Sequence, residues 1–151
     1  FLQDPRFQEA YRRGMFSGHK LGRRHDVDLH IEWRVHTILW AATQASKLAG
    51  DFVECGVNTG IYSLAICEYL NFNLLDKSFY LFDTFSGVPE EQLNDAERQQ
   101  GSLARLNRVY EECYETACRN FADFPNAVLV RGRVPETLTS VPIKAVSYLS
   151  I

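Results

Sequence analysis

The sequence predicts an α/β domain in which helices connect the strands of a parallel sheet. Short apolar runs typical of strands alternate with helical patterns, and this order favours a parallel sheet with right-handed connections. The stretch DFVECGVNTGIY, residues 51–62, combines a buried strand, a glycine turn and a helix start. A second apolar strand, KSFYLFD at 77–83, ends on a carboxylate. These features predict a nucleotide-type ligand site at the carboxyl ends of the first two strands.

Two helices are expected before the first strand. Apolar residues at helical spacing predict one helix over residues 5–16, with Asp4 as its cap. A longer apolar stripe predicts a second helix over residues 31–48, ended by Gly50. The basic, glycine-containing stretch 19–24 between them is expected to be a loop.

Several side chains near the second helix allow two roles. The run HDVDLH, residues 25–30, holds two imidazoles and two carboxylates, which are metal-ligand types. A solvated approach to the helix is nevertheless favoured over a metal site there. Trp33 and Trp40 share one helix face, and packing is favoured over a substrate-facing role. His36 is expected to be a packing histidine.

The turn after the first strand is the strongest candidate site. Gly56 and Gly60 can adopt backbone conformations that other residues avoid, and a helix over residues 61–69 would offer unpaired N–H groups. Asp83 follows Gly60 by 23 residues, near the spacing at which a carboxylate binds ribose hydroxyls. The glycines do not form G-x-G-x-x-G, which weakens an NAD site. A tight turn without a ligand is the plain alternative.

The second half of the sequence continues the alternation. Residues 84–101 are polar, acidic and long for a loop, and they are expected to form a mobile lid. Apolar spacing predicts an amphipathic helix of about five turns over residues 102–121, with Ser102 as N-cap. Strands at 127–130 and 144–151, with a short helix at 135–138 between them, complete the order.

The composition is that of a globular protein. The 151 residues are 46% hydrophobic, and 16 basic against 19 acidic residues give a net charge of −3. This net charge gives no indication of the basic surface with which proteins bind nucleic acid. The four cysteines include no C-x-x-C pair, so buried free thiols are favoured over disulfides. No signal peptide is visible, which makes the cytoplasm the default location, and the Phe1 start suggests that upstream residues have been removed.

Four ordered phrases resemble those of a known family. They are GDFVECGVNTG (50–60), FYLFDTFSGVPE (79–90), VRGRVPETL (130–138) and VSYLSI (146–151). They resemble class I S-adenosylmethionine-dependent methyltransferases, within them the macrocin O-methyltransferase-like group. The resemblance implies a Rossmann-like fold of which this chain holds the first four strands, the fourth beside the first. Residues 1–50 would form a helical segment packed on a truncated cofactor-binding half, residues 51–151.

The resemblance also implies the activity and the cofactor site. A methyl group would pass from S-adenosylmethionine to a hydroxyl of a small molecule of sugar or natural-product type. Glu54 would order the turn and the cofactor's ammonium end, Asp83 would hold the ribose, and a contact is expected around Asp28. The turn would approach the methionine and ribose, and the residues after the third strand would border the adenine. These two groups are Gly56, Val57, Asn58, Thr59 and Gly60, and Gly132 and Arg133.

Magnesium is implied as an aid to the acceptor hydroxyl. The family's ligands follow the strand matching residues 147–151, so no metal ligand and no catalytic residue is assigned here. The chain alone is therefore expected to be inactive, with its fourth strand as an unpaired, apolar edge. An NAD-dependent oxidoreductase half-domain and a non-catalytic remnant are the competing interpretations. The expected partner is a small-molecule acceptor rather than nucleic acid or a membrane, and a homo-oligomer is left open.

Overall fold

A four-stranded parallel sheet forms the centre of the computed structural model, which describes residues 1–21, 27–89, 95–96 and 110–151. The strand order is β3-β2-β1-β4, with every neighbouring pair parallel. This confirms the predicted parallel sheet and the place of the fourth strand beside the first. The strands are β1 (Asp51–Cys55), β2 (Phe79–Asp83), β3 (Ala127–Arg131) and β4 (Val146–Ser150).

Helices connect or precede these strands. They are α1 (Pro5–Met15), α2 (Glu32–Ala45), α3 (Ile61–Leu70) and α4 (Tyr114–Asn120), with 3₁₀ turns at Phe72–Leu74 and Glu136–Ser140. The Asp4 side chain accepts a hydrogen bond from Arg6 N at 2.9 Å, which confirms the predicted cap of α1. In the part of the chain that the structure describes, no helix has the length and apolarity needed to cross a bilayer.

The predicted five-turn helix over residues 102–121 is confirmed at residues 114–120 and wrong at residues 110–113. Helix α4 begins only at Tyr114, and residues 110–113 are not helical. The backbone N–H of Cys113 donates to the carbonyl of Phe85 at 2.8 Å, so a contact with the segment after β2 replaces a helical bond. The Glu112 carboxylate accepts from Tyr114 N at 3.1 Å at the start of α4. Ser102 lies outside the described residues, as does most of the predicted lid.

The two faces of the sheet carry separate apolar cores, as the two-residue period of a strand requires. On one face Phe52, Phe79 and Leu81 are fully buried against residues from α1, α2, α3 and α4. On the other face Val53, Tyr80 and Phe82 pack against residues of the segment 132–145. The first face contains most of the buried apolar residues, and α3 begins there at the carboxyl end of β1.

The packing expected of Trp33 and Trp40 is not observed. The two indoles are 70% and 62% exposed, with Trp33 making an edge contact with Phe1 at 4.7 Å. At 100° per residue, positions 33 and 40 lie opposite the face of α2 that is buried through Val35 and Leu39. His36 stacks on Phe1 with ring centroids 3.9 Å apart, so its packing role is confirmed.

The four cysteines and the fourth strand complete the comparison with the sequence. All four cysteines have free thiols; Cys67 is buried and the others are half-buried. Strand β4 lies at one edge of the described sheet, where Val146 and Leu149 are 48% and 57% exposed. An apolar edge at β4 is therefore present in the described sheet.

Candidate functional site

The turn between β1 and α3 has the backbone conformation that the glycines predict. Gly56 and Gly60 have φ values of +93° and +100°, and Asn58 is also left-handed at +54°. The glycines serve different purposes. A Cβ atom on Gly56 would meet no atom within 4 Å, whereas one on Gly60 would lie 2.6 Å from Phe121 Cε2. Gly56 thus leaves space for a ligand, and Gly60 allows Phe121 to pack behind the turn.

The carboxylate of Asp83 holds this turn in place. Its Oδ2 atom accepts hydrogen bonds from Val57 N at 2.6 Å and Asn58 N at 2.7 Å. Its Oδ1 atom accepts one from Phe85 N at 2.8 Å. The Thr84 hydroxyl lies 3.3 Å from Oδ1, but its single proton goes to the Gly87 carbonyl at 2.7 Å. A carboxylate has about four acceptor positions, so three are occupied by backbone N–H groups and one is left for a ribose hydroxyl. The ribose role of Asp83 stays a prediction, and the structure adds a role in shaping the turn.

A second set of hydrogen bonds fixes the back of the turn. The side-chain amide of Asn120, at the end of α4, donates to the carbonyls of Thr59 and Ser17, both at 2.8 Å. The hydroxyls of Ser17 and Thr59 are also hydrogen-bonded at 2.8 Å, and both residues are 2% exposed. Ser17 and Asn120 were not predicted as part of the site. They are far from Thr59 in the sequence, and no local pattern indicates that these residues are in contact.

Glu54 lies in the interior just before the turn. It is 3% exposed, and its Oε2 atom has no hydrogen-bond partner within the described part of the structure. Burial raises the pKa of Glu54 to about 8; the Ser63 hydroxyl opposes this shift, and the negative charge of Asp83 adds to it. Burying a carboxyl group without a hydrogen-bond partner costs free energy. Binding of a cation next to this group would therefore be strongly favoured.

A cavity of about 330 Å³ opens in front of the turn. The N–H groups of Val57 and Asn58 already point to Asp83. The exposed part of the turn is Gly56, with Asn58 half-buried beside it. Burial, with the charges of Asp83 and Glu112, raises the pKa of the Cys113 thiol to about 11, so this thiol is not a nucleophile near neutral pH. The cavity is lined by Gly56, Asn58, Asp83, Phe85, Gly87, Val88, Tyr110, Glu111 and Cys113.

The residues after β3 lie at a neighbouring cavity of about 410 Å³. Gly132 and Arg133 line it together with Gly87 and Val88, which line the first cavity as well. Gly132 N donates to the backbone carbonyl of Asp83 at 2.9 Å. The structure thus brings the turn, Asp83 and residues 132–133 to one edge of the sheet, as the resemblance implies. Their contacts with a cofactor stay predictions.

Other predicted site residues have more local surroundings. The Val57 side chain is 4% exposed and belongs to the helix-covered core, so only its backbone faces the turn. The Asp28 carboxylate accepts hydrogen bonds from the Tyr11 hydroxyl and from His30 N. Ligand atoms of Asp28, His30 and Glu32 lie within 4.8 Å of one another, with the first two residues exposed. This arrangement fits a solvated entrance to α2, and the cofactor contact expected of Asp28 stays a prediction.

Comparisons with known proteins agree with this architecture. The family model described as "Macrocin-O-methyltransferase (TylF)" matches residues 34–151, which is most of the chain. The solved structure titled "Structure of the O-methyltransferase NovP" superposes with a TM-score of 0.67 at 20% identity. The match covers 95% of this chain and 69% of that one, and at this identity it shows a shared fold. A search of curated proteins finds no match.

Proposed function

The chain belongs to the macrocin-O-methyltransferase (TylF) family, and from this membership we propose that it uses S-adenosylmethionine to methylate a hydroxyl of a small molecule. One observation carries the cofactor assignment: the turn after β1 is held by hydrogen bonds to Asp83 and leaves free space at Gly56. A fixed backbone with a clear approach suits a ligand that must be positioned accurately. The missing G-x-G-x-x-G pattern argues against the NAD alternative.

The residues at this edge of the sheet fit the chemical groups of the cofactor. The Oε2 atom of Glu54, which has no hydrogen-bond partner among the described residues, suits the ammonium of the methionine moiety, since a positive charge would favour the ionised carboxylate. Gly56 gives clearance for the methionine and ribose. Asp83 is proposed to receive the ribose, and Gly132 and Arg133 to border the adenine at the second cavity.

Methyl transfer requires the acceptor oxygen, the methyl carbon and the sulfur in line. S-adenosylmethionine supplies the electrophilic methyl group, and the chain supplies the positioning. Phe85, Val88 and Tyr110 line the first cavity with apolar surface, which would exclude water from the reacting methyl group. The hydrogen bond from Cys113 N to the Phe85 carbonyl joins two of the segments that line this cavity.

The acceptor and the metal belong to the proposal as well. The acceptor is proposed to be a sugar or natural-product hydroxyl, because the family name refers to macrocin O-methylation. Magnesium would help to acidify such a hydroxyl, but the resemblance places its ligands after the strand matching residues 147–151. No residue of this chain is therefore assigned to the metal, and no step is derived through it.

The direct test is calorimetric titration with S-adenosylhomocysteine and, separately, with NAD. We expect saturable, one-to-one binding of S-adenosylhomocysteine and no heat of binding with NAD. Binding of NAD without S-adenosylhomocysteine would refute the cofactor assignment. Methyl transfer from labelled S-adenosylmethionine to a panel of sugar and phenolic acceptors, with magnesium or with a chelator, then tests the acceptor and the metal.

A further inference from the structure

Asn120 joins three segments of the chain behind the candidate cofactor turn. Its Nδ2 atom donates to Thr59 O in the turn and to Ser17 O in the loop after α1, both at 2.8 Å. Its own backbone carbonyl accepts a hydrogen bond from an Arg13 guanidinium nitrogen at 3.2 Å. One side-chain amide therefore connects α4, the end of α1 and the turn.

The packing around these hydrogen bonds leaves little room for adjustment. A Cβ atom on Gly14 would lie 2.3 Å from the Ile61 carbonyl oxygen, so α1 closely contacts the first turn of α3. Phe121, the residue after Asn120, occupies the space that a side chain on Gly60 would need. The polar contact through Asn120 and the apolar contact through Phe121 thus act on neighbouring residues of the same turn.

The two ends of the turn are held by different side chains. Asp83 binds the N–H groups of Val57 and Asn58 at its beginning. Asn120 binds the carbonyl of Thr59 at its end. Between these contacts, Asn58 and Gly60 have positive φ, the left-handed conformation that asparagine and glycine adopt most readily. The two contacts thus hold both ends of this left-handed segment.

We propose that Asn120 is a positioning residue whose side-chain amide fixes the end of the turn, so that Gly56 and its neighbours keep the shape that receives the cofactor. This inference rests on the proposed function, because the affinity that it affects is that for S-adenosylmethionine. It also assigns a role to α4, none of whose residues lines the first cavity. Residues 110–113 just before α4 do contribute to that cavity, so one segment supports the site from the front and from behind.

Asn126 provides a matched control. Its Nδ2 atom also donates to backbone carbonyls, those of Phe72 at 2.8 Å, Lys77 at 3.1 Å and Leu75 at 3.4 Å. It directly precedes β3, at the amino ends of the strands and thus at the edge opposite the site. Replacing either asparagine by aspartate keeps the side chain's shape and removes the donor. Both changes should lower stability, because buried carbonyls lose their partners.

The experiment compares Asn120→Asp with Asn126→Asp by calorimetric titration with S-adenosylhomocysteine, at a temperature where both variants are fully folded. We expect the affinity to fall by about tenfold or more in Asn120→Asp, as for the loss of one to two hydrogen bonds, and by less than about twofold in Asn126→Asp. Amide hydrogen exchange without ligand should accelerate at residues 57–61 only in Asn120→Asp. If the aspartate variant does not fold, Asn120→Ala replaces it with Asn126→Ala as control, since alanine supports α4.

An affinity in Asn120→Asp that stays within about twofold of the unmodified protein would overturn the inference, and so would equal losses in the two variants. If the unmodified protein does not bind S-adenosylhomocysteine, the proposed function fails instead. Hydrogen exchange then decides the inference alone, and unchanged exchange at residues 57–61 in Asn120→Asp would overturn it.

Discussion

The turns after β1 and β3 lie at the same edge of the sheet, but they are held in different ways. The first turn has Thr59 buried, Asp83 bonded to its beginning and Asn120 to its end. The second has its backbone held by the bond from Gly132 N to the Asp83 carbonyl and by bonds from Thr137 N and the Thr137 hydroxyl to the Arg133 carbonyl, but the Arg133 side chain is exposed. Groups that are already fixed bind more tightly than an exposed side chain that must be ordered on binding. We therefore expect the first turn to dominate cofactor affinity and the second to adjust it.

The largest expected effect is that of Gly56→Val. A branched side chain at φ +93° is strained, and it would occupy the open space through which a ligand approaches the turn. We expect no detectable binding of S-adenosylhomocysteine by calorimetry, with the fold retained by circular dichroism. A structure of the variant with cofactor seated at the turn would show that Gly56 is not the approach.

Asp83→Ala should come next. The change removes the acceptor for Val57 N and Asn58 N, so the turn loses its shape and the ribose its proposed partner. The free energy of binding S-adenosylhomocysteine should become less favourable by about 1–3 kcal/mol, the scale for hydrogen bonds to a charged group. Denaturant unfolding should also show lower stability. Unchanged affinity would exclude both roles of Asp83.

Glu54→Gln tests the buried carboxyl group before the first turn through pH. The folded pKa is about 8, while that of an unfolded chain is about 4.3. Between these values the folded state keeps a proton that the unfolded state has lost, so this group's contribution to stability is complete below about pH 4.3 and is lost as the pH rises to about 8. In urea unfolding from pH 5 to pH 8, Glu54→Gln should reduce the fall in stability by about 1 kcal/mol per pH unit at most. If stability fell equally with pH in the variant and in the unmodified protein, the raised pKa of Glu54 would be contradicted.

The smallest effect is expected at the second turn. Arg133 is exposed, and an exposed contact contributes little because water competes for it. Arg133→Ala should therefore weaken S-adenosylhomocysteine binding by less than about 1 kcal/mol. A loss as large as that of Asp83→Ala would reverse the ranking of the two turns.

The sheet and the turn between β1 and α3 could be predicted from the sequence because their signals are local. Aromatic and β-branched residues mark β1 and β2, and the glycines mark the turn between β1 and α3. The helix predicted over residues 102–121 was wrong at residues 110–113, because apolar spacing does not show that Cys113 N bonds to the Phe85 carbonyl. That tertiary contact outweighs the periodic pattern at residues 110–113.

The finer structure of the site depends on contacts between distant residues. The carboxylate at the end of β2 was predicted as a ligand-binding group, but its bonds to Val57 and Asn58 require the register of β1 and β2 to be known. Asn120 carries no motif, and only the packing of α4 against the turn brings it to Thr59. Trp33 and Trp40 were misjudged because apolar character alone does not say which face of α2 meets the core.

The central claim is that cofactor binding depends on the first turn, and hydrogen exchange measured with and without S-adenosylhomocysteine tests it most directly. Saturating ligand should slow exchange most strongly at residues 56–61 and at Phe85, with weaker protection at residues 132–133 and no change at the amino ends of the strands. Exchange that is unaltered at residues 56–61 while protection appears elsewhere would contradict the claim.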